Sequence, residues 1–262
     1  MGEDLDGRSV IVTGAGRGIG AAIAADLAAK GARVAVADLD RAGAEAVAAR
    51  IAGQGGDARA FAVDVADRAS MRALVDDVAA AFGRLDVMFN NAGISKTLNF
   101  METTEADFER IMRVNGLGVL IGTQEAARRM IAQGGGGKIV NTASIAGKQG
   151  YPLFAAYCAS KFAVVALTQA AARALAEHRI TVNCFAPGVV KTELWQQLDG
   201  EFMALGLTRS EGQAIDEFSA SILAGRPSLP ADIVGTTAFL ASAASDYITG
   251  QTLMVDGGMV LI

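Results

Sequence analysis

Short β-branched runs alternate with longer alanine-rich stretches from one end of this 262-residue chain to the other, and that rhythm leaves few folds open. The runs at Ser9–Thr13, Arg33–Asp38, Ala58–Val63, Val87–Asn90, Lys138–Thr142, Thr181–Ala186 and Thr252–Val255 read as strands. Most are continuously apolar with little polar alternation, the pattern of strands covered on both faces of a parallel sheet. Between them, Ile19–Lys30, Arg41–Ala52, Ser70–Phe82 and Ala106–Gln133 read as helices. Strands and helices taking turns in this way give a doubly wound α/β fold with right-handed crossovers. With 52% hydrophobic and 19% charged residues the chain has enough apolar surface for one well-buried domain spanning residues 1–262.

Two segments break the rhythm. Gln133–Lys138, with four consecutive glycines, reads as a flexible helix-to-strand turn. Thr192 to about Gly225 is the longest stretch without a strand and carries Trp195, Phe202 and Phe218. It is expected to form a helical lid over a site at the strand ends; the alternative is a helical pair that only fills out the core.

The charge balance, 28 acids against 23 bases, gives −5 and argues against a nucleic-acid partner, which needs a basic face. Two cysteines and one histidine cannot build a disulfide framework or a zinc site, so no metal is expected. The acidic start, Met1-Gly2-Glu3-Asp4-Leu5-Asp6, lacks the pattern of a secretory leader, and no Ser or Thr at position 6 suits Gly2 for myristoylation. No unbroken apolar run reaches the ~18 residues of a membrane span. A soluble cytoplasmic protein is therefore expected. His178 has no second ligand nearby, and Cys158 and Cys184 read as small buried fillers. Cys158 points roughly 100° away from its neighbour Tyr157 around a helix.

The first strand runs straight into Thr13-Gly14-Ala15-Gly16-Arg17-Gly18-Ile19-Gly20 and then a helix. Glycines there permit a tight turn and a close backbone approach to a pyrophosphate at the helix N-terminus. Gly14, Arg17, Gly18, Ile19 and Gly20 are the candidate contacts. Asp38, with Leu39 beside it, closes the second strand 18 positions after Gly20, where an acid accepts ribose hydroxyl hydrogens. It would repel a 2′-phosphate by a few kcal/mol at ~4 Å and an effective dielectric near 20. Arg17 pulls the other way, since a guanidinium welcomes that phosphate; Asp38 is the more direct discriminator, and NAD(H) is expected over NADP(H). Asp64-Val65 follows the third strand and Asn91-Ala92-Gly93 the fourth. Asp64 is placed to meet an adenine amine, and Ala92-Gly93 leaves room for a nicotinamide ribose.

Tyr157 and Lys161 stand four apart in a strongly helical segment, which puts phenol and ammonium on one helix face. An ammonium, and the positive charge of an oxidised nicotinamide, are expected to lower the phenol pKa from ~10 and make it a general base or acid. Ser144 ends the fifth strand, 13 residues earlier, where its hydroxyl can hold a substrate oxygen. Asn115, beside Gly116, is expected to hold a water near Lys161 on a helix that the glycine loosens.

Taken in order, Thr13–Gly20, Asn90-Asn91-Ala92-Gly93, Asn115, Ser144, Tyr157-x3-Lys161 and Pro187-Gly188 identify the chain as a member of the short-chain dehydrogenase/reductase family over essentially its whole length. The resemblance implies a Rossmann-like sheet of seven parallel strands, NAD(P)-dependent oxidoreduction at an alcohol carbon and a homotetramer. It also implies that Pro187–Thr192 meets the nicotinamide carboxamide, mainly through Val190 and Thr192. Ala155, Ala159, Ala163, Ala166, Ala170 and Ala174 on the Tyr157 helix allow close approach of a second helix, and the apolar end Met259–Ile262 suits a partner subunit.

Within that family, Pro187–Trp195, Gly225-Arg226-Pro227-Ser228, Ser245–Gln251 and Val255–Met259 look most like acetoin (diacetyl) reductases and 2,3-butanediol dehydrogenases. Ser144-Ile145 and Gln149-Gly150-Tyr151-Pro152 resemble the subgroup that handles the (S,S) diol, in which the residues matching Ile145 and Tyr151 line the pocket. Ser144, Ile145, Tyr151, Tyr157, Gly188 and Trp195 are the expected substrate residues. Ile145 offers no hydrogen bond, so a small, mostly apolar hydroxy-ketone or diol suits the site better than a polyol. Trp195 either closes the pocket or packs the lid onto the sheet. The alternatives are a polyol dehydrogenase of sorbitol or galactitol type, a 3-oxoacyl-thioester reductase, which Asp38 and the acidic surface oppose, and a nucleotide-binding protein without catalysis, which the intact Asn–Ser–Tyr–Lys set opposes.

Overall fold

The computed structural model describes residues 5–261. Met1–Asp4 and Ile262, on which the sequence expectations for the two chain ends partly rest, lie outside the described residues. Seven strands, β1 (Ser9–Thr13), β2 (Arg33–Asp38), β3 (Asp57–Ala62), β4 (Val87–Asn90), β5 (Gly137–Thr142), β6 (Ile180–Pro187) and β7 (Thr252–Val255), form one sheet in the order β3-β2-β1-β4-β5-β6-β7. Every pairing is parallel. The chain moves outward to β3 and then returns across β1 to β4, so the crossovers on either side of the β1–β4 boundary run to opposite edges. The carboxyl ends of those two strands flank the crevice where such sheets take ligands.

Strand alternation sends Val10 and Val12 to one face and Ile11 to the other, all fully buried. Helices α1 (Gly18–Ala29), α2 (Arg41–Gly53) and α9 (Pro230–Ala241) cover the first face with Ile23, Leu27, Val47, Ile51, Ile233 and Leu240. Helices α3 (Arg68–Phe82) and α5 (Gly118–Gln133) cover the second with Met71, Leu74, Val78, Phe82, Ile121 and Met130. Each Leu or Ile sealed in this way contributes about 1.5–3 kcal/mol of transfer free energy. β3 departs from the continuous apolar pattern: as an edge strand, Asp57–Ala62 alternates exposed and half-buried positions.

The stretch read as one helix from Ala106 to Gln133 is interrupted. α4 (Glu105–Met112) opens on a Thr104 cap and passes through a π-turn at Arg113–Leu117 into α5. Asn115 sits in that turn. Helix α6 (Ala155–Leu175) packs on β6 and buries Ser160, Lys161 and Thr168. With its flanking turns, Pro152–His178, it is among the described residues the one helix long and apolar enough to cross a membrane by length and composition, which its polar residues concealed from a search for unbroken runs. A buried amide chain ties it to the sheet: Asn90 donates to Asn141 (2.8 Å) and Asn141 to Thr168 (2.9 Å). Residues 192–225 form α7 (Glu193–Ala204) and α8 (Gln213–Ser219), whose Leu198, Phe202 and Phe218 pack against Phe154, Tyr151 and Tyr157 at the start of α6. Asp199 of α7 accepts from the Gly212 and Ala214 N–H groups and so pins α8 to α7.

Candidate active site

A cleft of about 420 Å³ runs along the carboxyl ends of β1, β2, β4, β5 and β6. Every residue expected at the cofactor lines it: Gly14, Arg17, Gly18, Ile19, Gly20, Asp38, Leu39, Asp64, Val65, Asn91, Ala92, Gly93, Tyr157, Lys161, Pro187, Val190 and Thr192. The glycine turn is tight for a visible reason. Gly14 has φ +63°, and a Cβ there would lie 2.7 Å from the Ala92 Cα. A Cβ on Gly20 would meet the Gly14 oxygen at 2.2 Å and Asn91 Nδ2 at 2.6 Å. Asn91 clasps the turn from β4, donating to the Thr13 (2.9 Å) and Gly14 (3.2 Å) carbonyls and accepting from Thr142 Oγ1. The Asp38 carboxylate is held at the same turn by the Gly16 N–H (2.8 Å) and the Asp40 N–H (3.0 Å). Asp64 is exposed and accepts from the Ala66 N–H.

Farther along the cleft, β5 delivers Ser144 and α6 delivers Tyr157 and Lys161. Ser144 and Tyr157 face the same stretch of the cleft, and the Ser144 hydroxyl lies near enough to the phenol to favour its ionised form. Lys161 is buried, donates to the Thr142 carbonyl at 2.7 Å, and places Nζ 5.5 Å from the centre of the Tyr157 ring. The electrostatics differ from the sequence expectation. Burial pushes the Tyr157 phenol up to about 12, against the downward pull of the Ser144 hydroxyl. Burial likewise brings Lys161 down to about 8. In this cleft the desolvation of each group outweighs any mutual stabilisation. Asn115 lies behind the cleft, fully buried. Its two amide hydrogens go to the Ile94 carbonyl (2.9 Å) and Ser160 Oγ (3.0 Å), while Oδ1 accepts from the Ile94 N–H. These bonds make Asn115 a brace between the π-turn, α6 and the segment after β4.

Beyond Ser144 and Tyr157 the cleft continues into a pocket of about 70 Å³. All six expected substrate residues line it: Ser144, Ile145, Tyr151, Tyr157, Gly188 and Trp195. Trp195 faces both cavities, with its ring 5.5 Å from Phe218. Sequence reading missed Ser95, Phe154, Leu194, Leu198 and Phe218 on these walls, and Val63, Ile94, Val114 and Glu193 in the cleft. Ile94 and Ser95 directly follow Gly93, a usable signal; the placement of Phe218 depends on how the 192–225 segment folds back and left none. A wider groove of about 860 Å³ between α1, α2 and α7 shares Arg17, Gly18, Thr192, Glu193 and Trp195 with the cleft but none of Ser144, Tyr157 and Lys161. No group of three or more metal-ligating side chains exists among the described residues, and Cys158 and Cys184 are free and buried.

The short-chain dehydrogenase family model matches residues 8–201, which takes in the glycine turn, Ser144, Tyr157 and Lys161. The chain belongs to the short-chain dehydrogenase family. This short-chain dehydrogenase is 44% identical over 252 residues to an L-2,3-butanediol dehydrogenase of Corynebacterium glutamicum, covering 95% of this chain and 97% of the relative. It is 43% identical over 255 residues to a galactitol 2-dehydrogenase of Agrobacterium fabrum, covering 97% and 98%. A crystal structure from Beutenbergia cavernae, described as an NAD(P)-dependent gluconate 5-dehydrogenase with NADP at low occupancy, superposes with a TM-score of 0.87 at 38% identity, covering 98% of each chain. The family and its dehydrogenase relatives make the chain an oxidoreductase acting on CH–OH groups with a nicotinamide cofactor.

Proposed function

We propose that the chain is an NAD(H)-dependent enzyme that interconverts a small secondary alcohol and its ketone, of the acetoin, diacetyl and 2,3-butanediol type. The observation that carries this is the pairing of Ser144 and Tyr157 on the wall of a 70 Å³ pocket otherwise lined mainly by Ile145, Phe154, Leu198 and Trp195. Such a pocket accepts about four carbons and one reacting oxygen; it has few partners for the many hydroxyls of a polyol. The likeness to an L-2,3-butanediol dehydrogenase supports the reading, and that to a galactitol dehydrogenase supports a polyol enzyme as the second reading.

The cleft fits a dinucleotide, since Gly14 and Gly20 let the turn fold tightly onto its own backbone and the segment after β4, and the start of α1, with Gly14, Arg17, Gly18 and Ile19, lines the cleft. Bound there, the nicotinamide supplies or accepts the hydride. The chain's own groups do the rest. Ser144 donates to the carbonyl oxygen and fixes it beside Tyr157. In reduction the phenol gives its proton to that oxygen as the alcohol forms; in oxidation the phenolate takes it back. Lys161, anchored on the Thr142 carbonyl, presents its charge behind the ring. Asn115 holds the segment after β4 and the face of α6 that carries Ser160 in register. Asp38 is assigned to the ribose hydroxyls and sets the preference for NAD(H). Residues 192–225 act as the lid, with Trp195 as its inner face.

A homotetramer is part of the proposal. Ala159, Ala166, Ala170 and Ala174 face outward on α6, beside Phe162 at 47% exposure. The enzyme is placed in the cytoplasm. Steady-state turnover with NADH and NADPH against diacetyl, acetoin, sorbitol and galactitol tests the reading. Fast NADH-linked reduction of diacetyl or acetoin is expected; turnover of polyols alone contradicts the substrate while leaving the mechanism standing.

A further inference from the structure

We propose that Ser95 holds a second substrate oxygen, on the carbon next to the reacting one, so that the pocket selects vicinally oxygenated molecules over simple ketones. The inference rests on the small-ketone reading above and sharpens it. Ser95 is 7% exposed and lines the 70 Å³ pocket together with Ser144 and Tyr157. Its hydroxyl is shut off from solvent and has no hydrogen-bond partner among the described residues. A buried hydroxyl left unpaired is costly, and such groups are otherwise satisfied. Here no protein group within reach satisfies it.

The backbone around Ser95 is held firmly, which separates this hydroxyl from a loosely placed one. Its carbonyl accepts from Gln197 of α7 (3.4 Å), the preceding Ile94 is clasped on both sides by Asn115, and the Thr97 N–H donates to Glu201 of α7 at 2.7 Å. Two elements of the site, the Asn115 turn and the lid helix, therefore fix the segment that carries the hydroxyl. The walls at Ile145, Phe154, Leu194 and Leu198 give a second oxygen no partner. Tyr151 is the competing phenol, and its ring is committed to packing on Phe218 at 6.3 Å. With the Ser95 side chain turned about χ1 from its closed position toward the pocket, a ligand with adjacent oxygens meets Ser144 and Tyr157 with one and Ser95 with the other; a ligand with one oxygen leaves Ser95 unpaired, and that difference is selectivity.

The test compares acetoin with 2-butanone, which has the same carbon skeleton without the neighbouring hydroxyl, in wild type, Ser95→Ala and Tyr151→Phe. The readout is the ratio of kcat/KM for acetoin over butanone within one preparation, so any loss of folded enzyme cancels. Ser95→Ala is expected to lower that ratio about tenfold, the worth of one lost hydrogen bond. A ratio within twofold of wild type, or one lowered by Tyr151→Phe and not by Ser95→Ala, overturns the assignment. Wild-type enzyme that turns over galactitol and neither four-carbon ketone overturns the substrate reading itself, and this inference with it.

Discussion

Replacing Gly20 by alanine is the sharpest structural test of the cofactor turn. The added methyl carbon would sit 2.2 Å from the Gly14 carbonyl oxygen, 2.6 Å from Asn91 Nδ2 and 2.9 Å from the Ala15 Cα. These fall about 1 Å or more short of ordinary contact. Asn91 cannot retreat, because its amide already bonds the Thr13 and Gly14 carbonyls. The first turn of α1 must shift instead, by about 1 Å. Overpacking of this kind costs about 1–3 kcal/mol, and in a domain of this size each kcal/mol lowers Tm by roughly 2–4 °C. The same shift pulls backbone N–H groups away from the pyrophosphate. Losing one charge-assisted bond of roughly 2–3 kcal/mol weakens NADH about 30- to 150-fold. Gly235→Ala is the control: Gly235 lies on an exposed face of α9 with nothing within 4 Å of a Cβ, so it should stabilise by up to about 1 kcal/mol and leave NADH affinity alone. NADH titration and thermal melting of the two variants decide the matter. Gly20→Ala binding NADH within twofold of wild type would refute the reasoning.

Two further outcomes follow from the same geometry. Asp38→Ser removes the carboxylate that the Gly16 and Asp40 N–H groups hold at the turn, and it should raise kcat/KM for NADPH over that for NADH by at least about tenfold, since a phosphate near Asp38 is opposed by a few kcal/mol; an unchanged ratio removes Asp38 as the discriminator. Lys161 loses its proton at about 8 in the folded chain and near 10.5 in the unfolded one, so between about pH 8 and 10 the unfolded chain holds more protons and stability rises with pH. Wild type should therefore gain on Lys161→Met in urea midpoint across that window, the burial penalty on the ammonium being present in full below it; parallel curves contradict the shift. Tyr157, held up at about 12, acts in the opposite direction only above its ordinary value of 10.

Much of the fold could be read directly because buried parallel strands leave unbroken apolar runs. β1, β2, β4 and β7 begin and end where those runs do, and β5 and β6 extend theirs by one residue or two. What the runs could not carry is tertiary. The π-turn at Arg113–Leu117 shows in the sequence only as the glycine beside Asn115, which marks a loosened helix and not a break, since the helical neighbours on both sides stay amphipathic. The residues expected at the cofactor and the substrate line the two cavities because most of them sit at strand ends, whose positions follow from the strands themselves. The raised Tyr157 phenol was unreadable for the opposite reason. A four-residue spacing to Lys161 announces a charge pair, while the apolar cluster that buries the phenol draws in Leu194 and Trp195 from a distant segment. Ser95 escaped because a lone serine after a glycine is unremarkable until its surroundings close over it.

The central claim is that Tyr157 transfers the proton at a substrate oxygen held by Ser144. Its most direct test is Tyr157→Phe, which keeps the ring on its Phe154 and Trp195 neighbours and removes only the hydroxyl. With NADH binding first verified by titration, the variant and wild type are mixed with diacetyl or acetoin and the loss of NADH is followed. The account predicts NADH consumption by wild type, and in the variant unimpaired NADH binding with turnover reduced by about 10² or more. A variant that binds NADH and turns it over at the wild-type rate would contradict the mechanism outright.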